Sequence, residues 1–496
     1  MNRPSRVEVG VAALAAVAAV GGSLLVAGET AAFVGAAAAT FVRDLAPGVV
    51  ADGVRRLRDL AQPLLVVTTG AVLLSAYTAL VVLAGRVAEA GRYRALATLA
   101  LVGGLSFLLT GSLASAIGAG AASALVVVVA TATLDLGRPA RPATPPGRRQ
   151  VLQAGVAAVA TLVAGATRLR EPPGEFSPES PDPGADSLLS VAEERSFDLR
   201  DTDGLVSEGF YTVDIAAVDP NLDPDAWELT VTGEIEQERA FTRSELQAFD
   251  AERRFVTLRC VSDTLNGTKV DTALWDGVPV STVLEEVGAP ERCCVTLHAD
   301  DGYFVSFPRE ALDAGLLAWG MNGRPLPRSH GAPVRALVPG HWGETNAKWL
   351  TEIEIIDEPE DGYWEQRGWE GVGEVNPVAK LHSTTVLGET VRVGGHAYAG
   401  TRGVDAVEVS TDGGDSWTEA RLSEPLPGAT PLDEDDPEPE GEAADAWRMW
   451  EHEYEAVDDH EVVVRCVDGD GETQTGDEQG IRPSGATGWV RETIER

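Results

Sequence analysis

The chain has 496 residues, room for two or three domains, and its 77 acidic residues outnumber 39 basic ones for a formal charge of −38. The charge is divided: residues 1–170 hold 15 Lys and Arg against 7 Asp and Glu, a net of +8, and the rest holds 24 against 70, a net of −46. This excludes a single homogeneous globular protein, and the acidity excludes a nucleic-acid binder, which needs positive charge to meet phosphates.

In chain order, the first feature is a set of uncharged runs. Residues 9–28 form one of 20 residues, 60–85 one of 26, 95–134 one of 40 and 150–167 one of 18. A membrane-crossing helix needs about 20 mostly apolar residues. The 40-residue run, with Gly111, Gly118 and Gly120 near its middle, reads as two spans joined by a tight turn. The expectation is an α-helical membrane anchor of about five spans over residues 1–170. Arg3 and Arg6 precede the first span, Arg86, Arg92 and Arg94 lie between the second and third, and Arg138, Arg141, Arg148 and Arg149 lie between the fourth and fifth. Positive loops stay in the cytoplasm, so five spans put the acidic part on the extracytoplasmic side of the cell membrane. Arg43, Arg55, Arg56 and Arg58 in the first loop run against this. Arg148-Arg149 before the last run resembles a twin-arginine export signal, and is equally an ordinary positive-inside flank. All seven histidines lie at or beyond His298, and the span interiors lack acids. No bis-histidine haem or ion path is therefore expected in the membrane part, which reads as an anchor.

Residues 171–205 are rich in Pro, Gly, Ser and acid and read as an extended acidic linker. Residues 206–376 mix short β-rich runs (WELTVTG, FVTLRCV, CCVTLHA, PVRALVPG, EIEII) with short helices at 280–287 and 309–314, an α+β pattern. Residues 377–496 alternate apolar and polar at period two between Asp-Gly and Gly-Gly turns, as a β-sandwich does. Within that region, residues 424–445 contain PLDEDDPEPEGEAADA and read as an acidic surface loop. Only Lys269, Lys348 and Lys380 are lysine. Scarce lysine with abundant acid is the composition of halophilic proteins, whose self-repulsion dense salt screens over about 3 Å at 1 M. The other reading is an ordinary acidic domain with a disordered acidic tail.

The four cysteines, Cys260, Cys293, Cys294 and Cys466, contain no C-x-x-C pair, which excludes a disulfide-stapled scaffold and the usual zinc ribbon. Cys260 ends the run Phe255–Val261 beside Arg259, just before a polar turn. At the mouth of a strand it is a candidate thiolate and soft-metal ligand, or else a small core residue. The other three read as core. A second cluster, His330, Arg335 and Lys348 on loops around one short strand, reads as an anion site, or as cations paired with neighbouring carboxylates.

Several stretches together resemble the sulfite-oxidase-like family of molybdopterin-dependent oxidoreductases. They are Phe210-Tyr211 with Asn221-Leu222-Asp223-Pro224, then LRCVS (258–262), WDGVPV (275–280), DGYFVSFP (301–308), MNGRPLPRSHGAPVRALVPG (321–340), NAKWL (346–350) and GYWEQRGW (362–369). GVDAVEVSTDGGDSW (403–417) is similar to the family's immunoglobulin-like molybdenum-cofactor dimerisation domain. The resemblance implies a molybdopterin-binding domain at 206–376, a dimerisation domain at 377–496 and a mononuclear molybdenum with molybdopterin and no haem. Cys260 is the implied metal ligand. Tyr211, Asp214, His330, Arg335, Asn346, Ala347 and Lys348, with Asp301, are the implied cofactor-binding residues. Arg367 and Trp369 are implied on the substrate side, with Trp369 where the family carries an active-site tyrosine. Asp214 or Thr212 stands where sulfite oxidases place a sulfite-binding arginine. The implied activity is two-electron oxygen-atom transfer on a small-molecule substrate, with electrons exchanged with a separate protein and a homodimer formed through the C-terminal domain. The alternative is a cell-surface binding module with a degenerate, metal-free catalytic domain.

Overall fold

The computed structural model describes residues 4–27, 33–45, 61–88, 91–131, 155–156, 158–159, 182–216, 218–291, 293–432 and 439–495. The chain forms two compact units. One is Met1–Glu175 with Ile215–Asn221; the other is Phe176–Asp214 with Leu222–Arg496.

In the first unit, α1 (Arg6–Ala27), α2 (Val34–Leu45), α3 (Ala61–Val87), α4 (Gly91–Thr110) and α5 (Leu113–Thr131) follow one another. Four of these, all but α2, are long and apolar enough to cross a membrane. The 40-residue run is indeed two helices, broken where Gly111 adopts a φ of +65°. The short α2, which carries Arg43, was not anticipated. Of the expected fifth span, only residues 155–156 and 158–159 are among those described. Small residues let α1 and α5 approach closely: a Cβ on Gly22 would lie 2.3 Å from the Gly118 carbonyl oxygen, and one on Gly118 2.4 Å from that of Gly22. Two hydroxyl pairs stitch helices together, Ser23–Ser115 at 2.6 Å and Tyr77–Ser106 at 2.7 Å.

The second unit opens with a correction. The stretch read as an extended linker contains the helix α6 (Pro183–Arg195). Asp182 caps it, accepting from Gly184 N at 2.8 Å, Pro183 occupies its first turn, and Arg195 sits at its C-terminal end. Such a cap contributes about 1 kcal/mol, and proline is tolerated at the first turn because its missing donor has no partner there anyway. Residues 171–181 lie outside the described set.

The α+β domain contains β1 (Glu228–Gly233), β2 (Arg239–Thr242), β3 (Glu252–Arg259), β4 (Val270–Pro279), β5 (Cys294–Ala299), β6 (Phe304–Pro308), β7 (Leu316–Met321), β8 (Arg324–Pro325), β9 (Arg335–Leu337) and β10 (Leu350–Ile356). Short helices at Val280–Glu286 and Arg309–Asp313 match the expected ones within a residue. One sheet has the order β2-β1-β10-β5-β6; a second runs β3-β4-β7-β8, with β9 on β7. Leu229, Val231, Val295, Leu297, Ile353 and Ile355 fill the core on one face of the first sheet.

The C-terminal domain adds β11 (Val378–Ala379), β12 (Ser383–Leu387), β13 (Thr390–Tyr398), β14 (Val404–Ser410), β15 (Thr418–Glu419), β16 (Arg421–Leu422), β17 (Pro427–Pro431), β18 (Glu440–Glu442), β19 (Arg448–Glu455), β20 (His460–Asp468) and β21 (Val490–Ile494). Two antiparallel sheets, β11-β13-β19-β16 and β15-β14-β20-β21, enclose a core that includes Val393, Val407, Trp450, Val464 and Cys466. The acidic loop at 424–445 needs correcting too. Its described ends form β17 and β18, and β17 pairs with β3 through Thr430↔Arg253. Its last residue, Asp445, is buried.

Asp445 locks the two β domains. Its carboxylate accepts from Tyr398 Oη at 2.7 Å and Gly340 N at 2.8 Å, and its carbonyl accepts from Thr257 N at 3.0 Å. Burial pushes its pKa up to about 8 despite these donors. The folded state therefore holds this proton more tightly than the unfolded chain does. The stability it contributes is complete below the ordinary carboxylate pKa and is lost as pH rises toward 8. Asp445→Asn should flatten the decline in melting temperature between about pH 4 and 8, measured by calorimetry at constant high salt; an unchanged profile would assign the decline to other groups.

Candidate active site

The best sequence candidate, Cys260, directly follows β3. Its N–H donates to Lys269 O at 3.0 Å and its carbonyl accepts from Asp263 N at 2.9 Å, so the turn after the strand closes on the cysteine itself. Cys260 is buried, with its Sγ 3.1 Å from Ser262 Oγ. Burial raises its thiol pKa, which Ser262 partly offsets. The preceding Arg259 is fully buried, donates to Asn376 O at 2.9 Å, reaches Asp263 at 3.3 Å and stacks over Trp342.

On one side of Cys260 lie the cationic residues. Arg335, 4% exposed, donates to His330 O at 3.1 Å and Asn346 O at 2.9 Å and lies over the Trp275 ring at 5.2 Å. Among the described residues it pairs with no carboxylate, and its buried Nε has no partner. Burial pulls its pKa down to about 10, which leaves it charged at neutral pH. His330 packs edge-on against Phe210, and burial, then Arg335 and Lys348, hold its pKa down to about 4. It is neutral at pH 7. Lys348 donates to Ser329 O at 3.0 Å and pairs with Asp214 at 2.6 Å. Of the two readings of this cluster, carboxylate pairing therefore holds for Lys348 and not for Arg335.

The backbone of this side is tightly determined. Gly331, at φ +110°, closes the turn so tightly that a Cβ there would lie 2.9 Å from Lys348 Cα. Asn346 Oδ1 accepts from Val338 N at 2.7 Å, and the Ala347 carbonyl accepts from Ala336 N at 2.9 Å. Trp349 takes a positive φ of 50°, uncommon for so bulky a residue, and its indole donates to Arg328 O at 2.8 Å. Tyr211 lies between this side and the cysteine. Its N–H donates to Asp271 at 2.7 Å, and its hydroxyl sits where a Cβ on Gly343 would meet it at 2.7 Å. A cavity of about 370 Å³, within the small-ligand range, opens beside Phe210 and His330 and is lined also by Ser207, Glu208, Asn322 and Arg324.

The other side holds groups the sequence reading missed. Tyr303 donates its hydroxyl to Glu344 O at 2.6 Å and packs on Tyr363 at 5.9 Å. Burial raises its pKa, and Glu344, Glu365, Asp301 and Cys260 add to the rise, so the ring stands within electrostatic reach of the thiol. The Asp301 carboxylate accepts from Tyr303 N at 3.0 Å and shapes the turn that presents that tyrosine. The Glu344 and Glu365 carboxyl groups are buried and find no other donor among the described residues. Burial first, and then the neighbouring Glu365, keep the Glu344 pKa well above the carboxylate range.

Arg367 lies over the Tyr363 ring at 3.5 Å and so joins this side through Tyr363, one ring removed from Tyr303. Trp369 instead packs beside Trp342 and Val375, with Arg482 over its ring at 5.3 Å. Aromatic hydroxyls near Cys260 are thus supplied by Tyr211 and Tyr303, not from position 369. Tyr303 lies inside the DGYFVSFP motif, which was the available signal. Cys293 and Cys294, read as core, form a disulfide between adjacent residues at the start of β5, and Cys466 is a buried core thiol as expected.

Residues 216–364 match the family described as oxidoreductase molybdopterin binding domain, and residues 372–489 the Mo-co oxidoreductase dimerisation domain. The chain is similar to mitochondrial sulfite oxidase of Rattus norvegicus, 29% identical over 60% of this chain and 63% of that protein. It is similar to that of Homo sapiens, 30% identical over 55% and 58%. It spans less than two thirds of the length of these relatives. Among solved structures, the sulfane dehydrogenase of Paracoccus pantotrophus superposes with a TM-score of 0.48 at 22% identity, covering 59% of this chain and 82% of that one.

Arg335 supplies buried donors to the His330 and Asn346 carbonyl oxygens. Arg335→Met should therefore destabilise the cofactor-free protein by roughly 2–3 kcal/mol, measured by denaturant unfolding in molar salt. A loss below about 0.5 kcal/mol would show those carbonyls to be hydrated instead.

Proposed function

Because the chain belongs to the sulfite-oxidase-like family of molybdopterin oxidoreductases, we propose that it is a membrane-anchored enzyme carrying out two-electron oxygen-atom transfer on a small substrate. The observation that carries this reading is the buried Cys260 on its closed turn, beside the Tyr211 hydroxyl at Gly343, in a domain whose buried Arg335 pairs with no carboxylate among the described residues. The residues fit the cofactor. One soft donor stands at the head of a turn, and a buried guanidinium with an unpartnered Nε and a neutral imidazole line one side, as an anionic group requires.

Cys260 would supply the single protein ligand to molybdenum. His330, Arg335 and Lys348 would hold the pterin phosphate, with Asn346, Ala347, Tyr211 and Asp214 against the pterin. When bound, the molybdenum cofactor supplies the oxygen-atom and electron chemistry. This chain's residues bind, orient and manage protons. Tyr303 would be held in place by its bond to Glu344 O, and the Glu344 carboxyl, kept protonated at neutral pH by burial, would be a proton reserve on that side. Arg367, spread over Tyr363, is the nearest cation on that side that an incoming anion would meet.

The N-terminal helices anchor the enzyme; the four crossing helices together with the fifth span expected at residues 150–167 would put the active site on the outer face of the cell membrane. With no histidine in the spans, electrons pass to a separate protein. The C-terminal sandwich, of immunoglobulin-like type, joins two copies, and the acidic surface is an adaptation to dense salt. The relatives are named sulfite oxidase. Asp214, standing where those enzymes use a cation and paired with Lys348, makes sulfite a poor substrate here.

The full chain, made in a host that assembles the cofactor and purified in detergent and molar salt, should contain about one molybdenum by elemental mass spectrometry, and Cys260→Ser much less. Metal-free wild type, from a host that loads a control enzyme, would remove the enzymatic reading. Asp214→Asn should raise kcat/KM for sulfite about tenfold by removing a negative charge from the position where the relatives use a cation. An unchanged value would place Asp214 away from the substrate.

A further inference from the structure

Lysine is almost absent from this chain, yet all three copies lie around one site. Lys348 is in the cationic cluster. Lys269 reaches Ser262 Oγ at 3.4 Å, and Ser262 Oγ is 3.1 Å from the Cys260 sulfur. Lys380 comes from the C-terminal domain, between β11 and β12, and is 1% exposed. Its ammonium donates to Asp263 Oδ2 at 2.6 Å, to Gly267 O at 2.8 Å and, at longer range, to Leu265 O at 3.3 Å and Thr264 O at 3.4 Å.

These acceptors all belong to the turn that begins at Cys260. Asp263 is the hub of that turn: its N–H holds the Cys260 carbonyl, its Oδ1 accepts from Lys269 N at 3.0 Å, and Arg259 Nε reaches its Oδ2 at 3.3 Å. Without the ammonium, an almost fully buried carboxylate and the inward carbonyls of residues 264, 265 and 267 lose their common donor. An ammonium is compact, with three donors that can be shared among four converging oxygens; a planar guanidinium spreads its donors in one plane and is larger. The chemistry therefore selects lysine here in a chain that otherwise uses arginine.

We infer that Lys380 is a positioning residue for Cys260: the second domain fixes the cysteine-bearing turn of the first through this ammonium cage. The inference rests on the reading of Cys260 as the metal ligand for its functional meaning, but the geometry it concerns exists without the metal, and so does its test. In the cofactor-free full chain, in detergent and molar salt, alkylation of each cysteine by iodoacetamide is followed by peptide mass spectrometry. Cys466, buried in the sandwich core, reports global unfolding.

Lys380→Met should speed modification of Cys260 about tenfold or more while Cys466 stays protected, because only the turn opens. Lys380→Arg should fail to restore protection, which a requirement for charge alone would not produce. Molybdenum content of protein from the cofactor-making host should fall in step. If Lys380→Met also exposes Cys466, the double variant Asp263→Asn/Lys380→Met, which removes the unpaired buried charge, decides the matter by the same two rates. Cys260 protection equal to wild type in a variant with Cys466 protected would overturn the inference, whether or not the wild type binds molybdenum.

Discussion

The junction between the two β domains is organised by carboxylates taken out of water. Asp263 and Asp445 are both buried there, and burying a carboxylate costs several kcal/mol unless the structure supplies compensation. The two are matched in different ways. Asp263 meets two cations, Arg259 from its own strand and Lys380 from the other domain. Asp445 meets neutral donors, the Tyr398 hydroxyl and the Gly340 amide, and stays close to protonated. In each case one donor comes from the other domain, Lys380 for Asp263 and the Gly340 amide for Asp445, so neither domain completes its own interior alone. Cys260 sits on the turn this arrangement fixes. Its placement is thus a property of the pair of domains and not of β3 alone.

What the sequence disclosed follows from the range of the forces involved. The long uncharged runs, read as about five spans, correspond to four described crossing helices, and short β-rich runs in the first β domain and period-two alternation in the second marked strands, because each signal is local. The helix Pro183–Arg195 was hidden by composition: Pro, Asp, Gly and Ser read as linker, while Asp182-Pro183 are in fact its cap and first turn. The strands at 427–431 and 440–442 were hidden for the opposite reason. They form because β3, more than 170 residues earlier, offers them an edge, and no local pattern encodes that.

The candidate site divides along the same line. Cys260, His330, Arg335 and Lys348 stand out in a sequence because thiols, imidazoles and cations are chemically conspicuous in an acidic chain. Tyr303 is inconspicuous, since tyrosines mostly pack, and it became a site candidate only when the turn before β6 brought its hydroxyl to the Glu344 carbonyl. The Glu344–Glu365 pair is invisible in a chain with 77 acids. Only the fold tells a buried carboxyl pair from a solvated one. Arg367 and Trp369, adjacent in one motif, point into different surroundings because Gly368 turns the chain between them at φ +79°.

The two sides of Cys260 are electrostatically unlike. One presents Arg335 and Lys348 with a neutral His330; the other presents tyrosines and the buried carboxyls of Glu344 and Glu365. The thiol lies at the boundary, and burial raises its pKa. A raised pKa makes a free thiol a poor nucleophile at neutral pH, because the reactive form is the thiolate. The same burial does not hinder metal binding, since a coordinated thiol is deprotonated by the ion itself. A cysteine that is protonated and shielded when free, yet fixed at the head of a rigid turn, is suited to ligation and poorly suited to covalent catalysis.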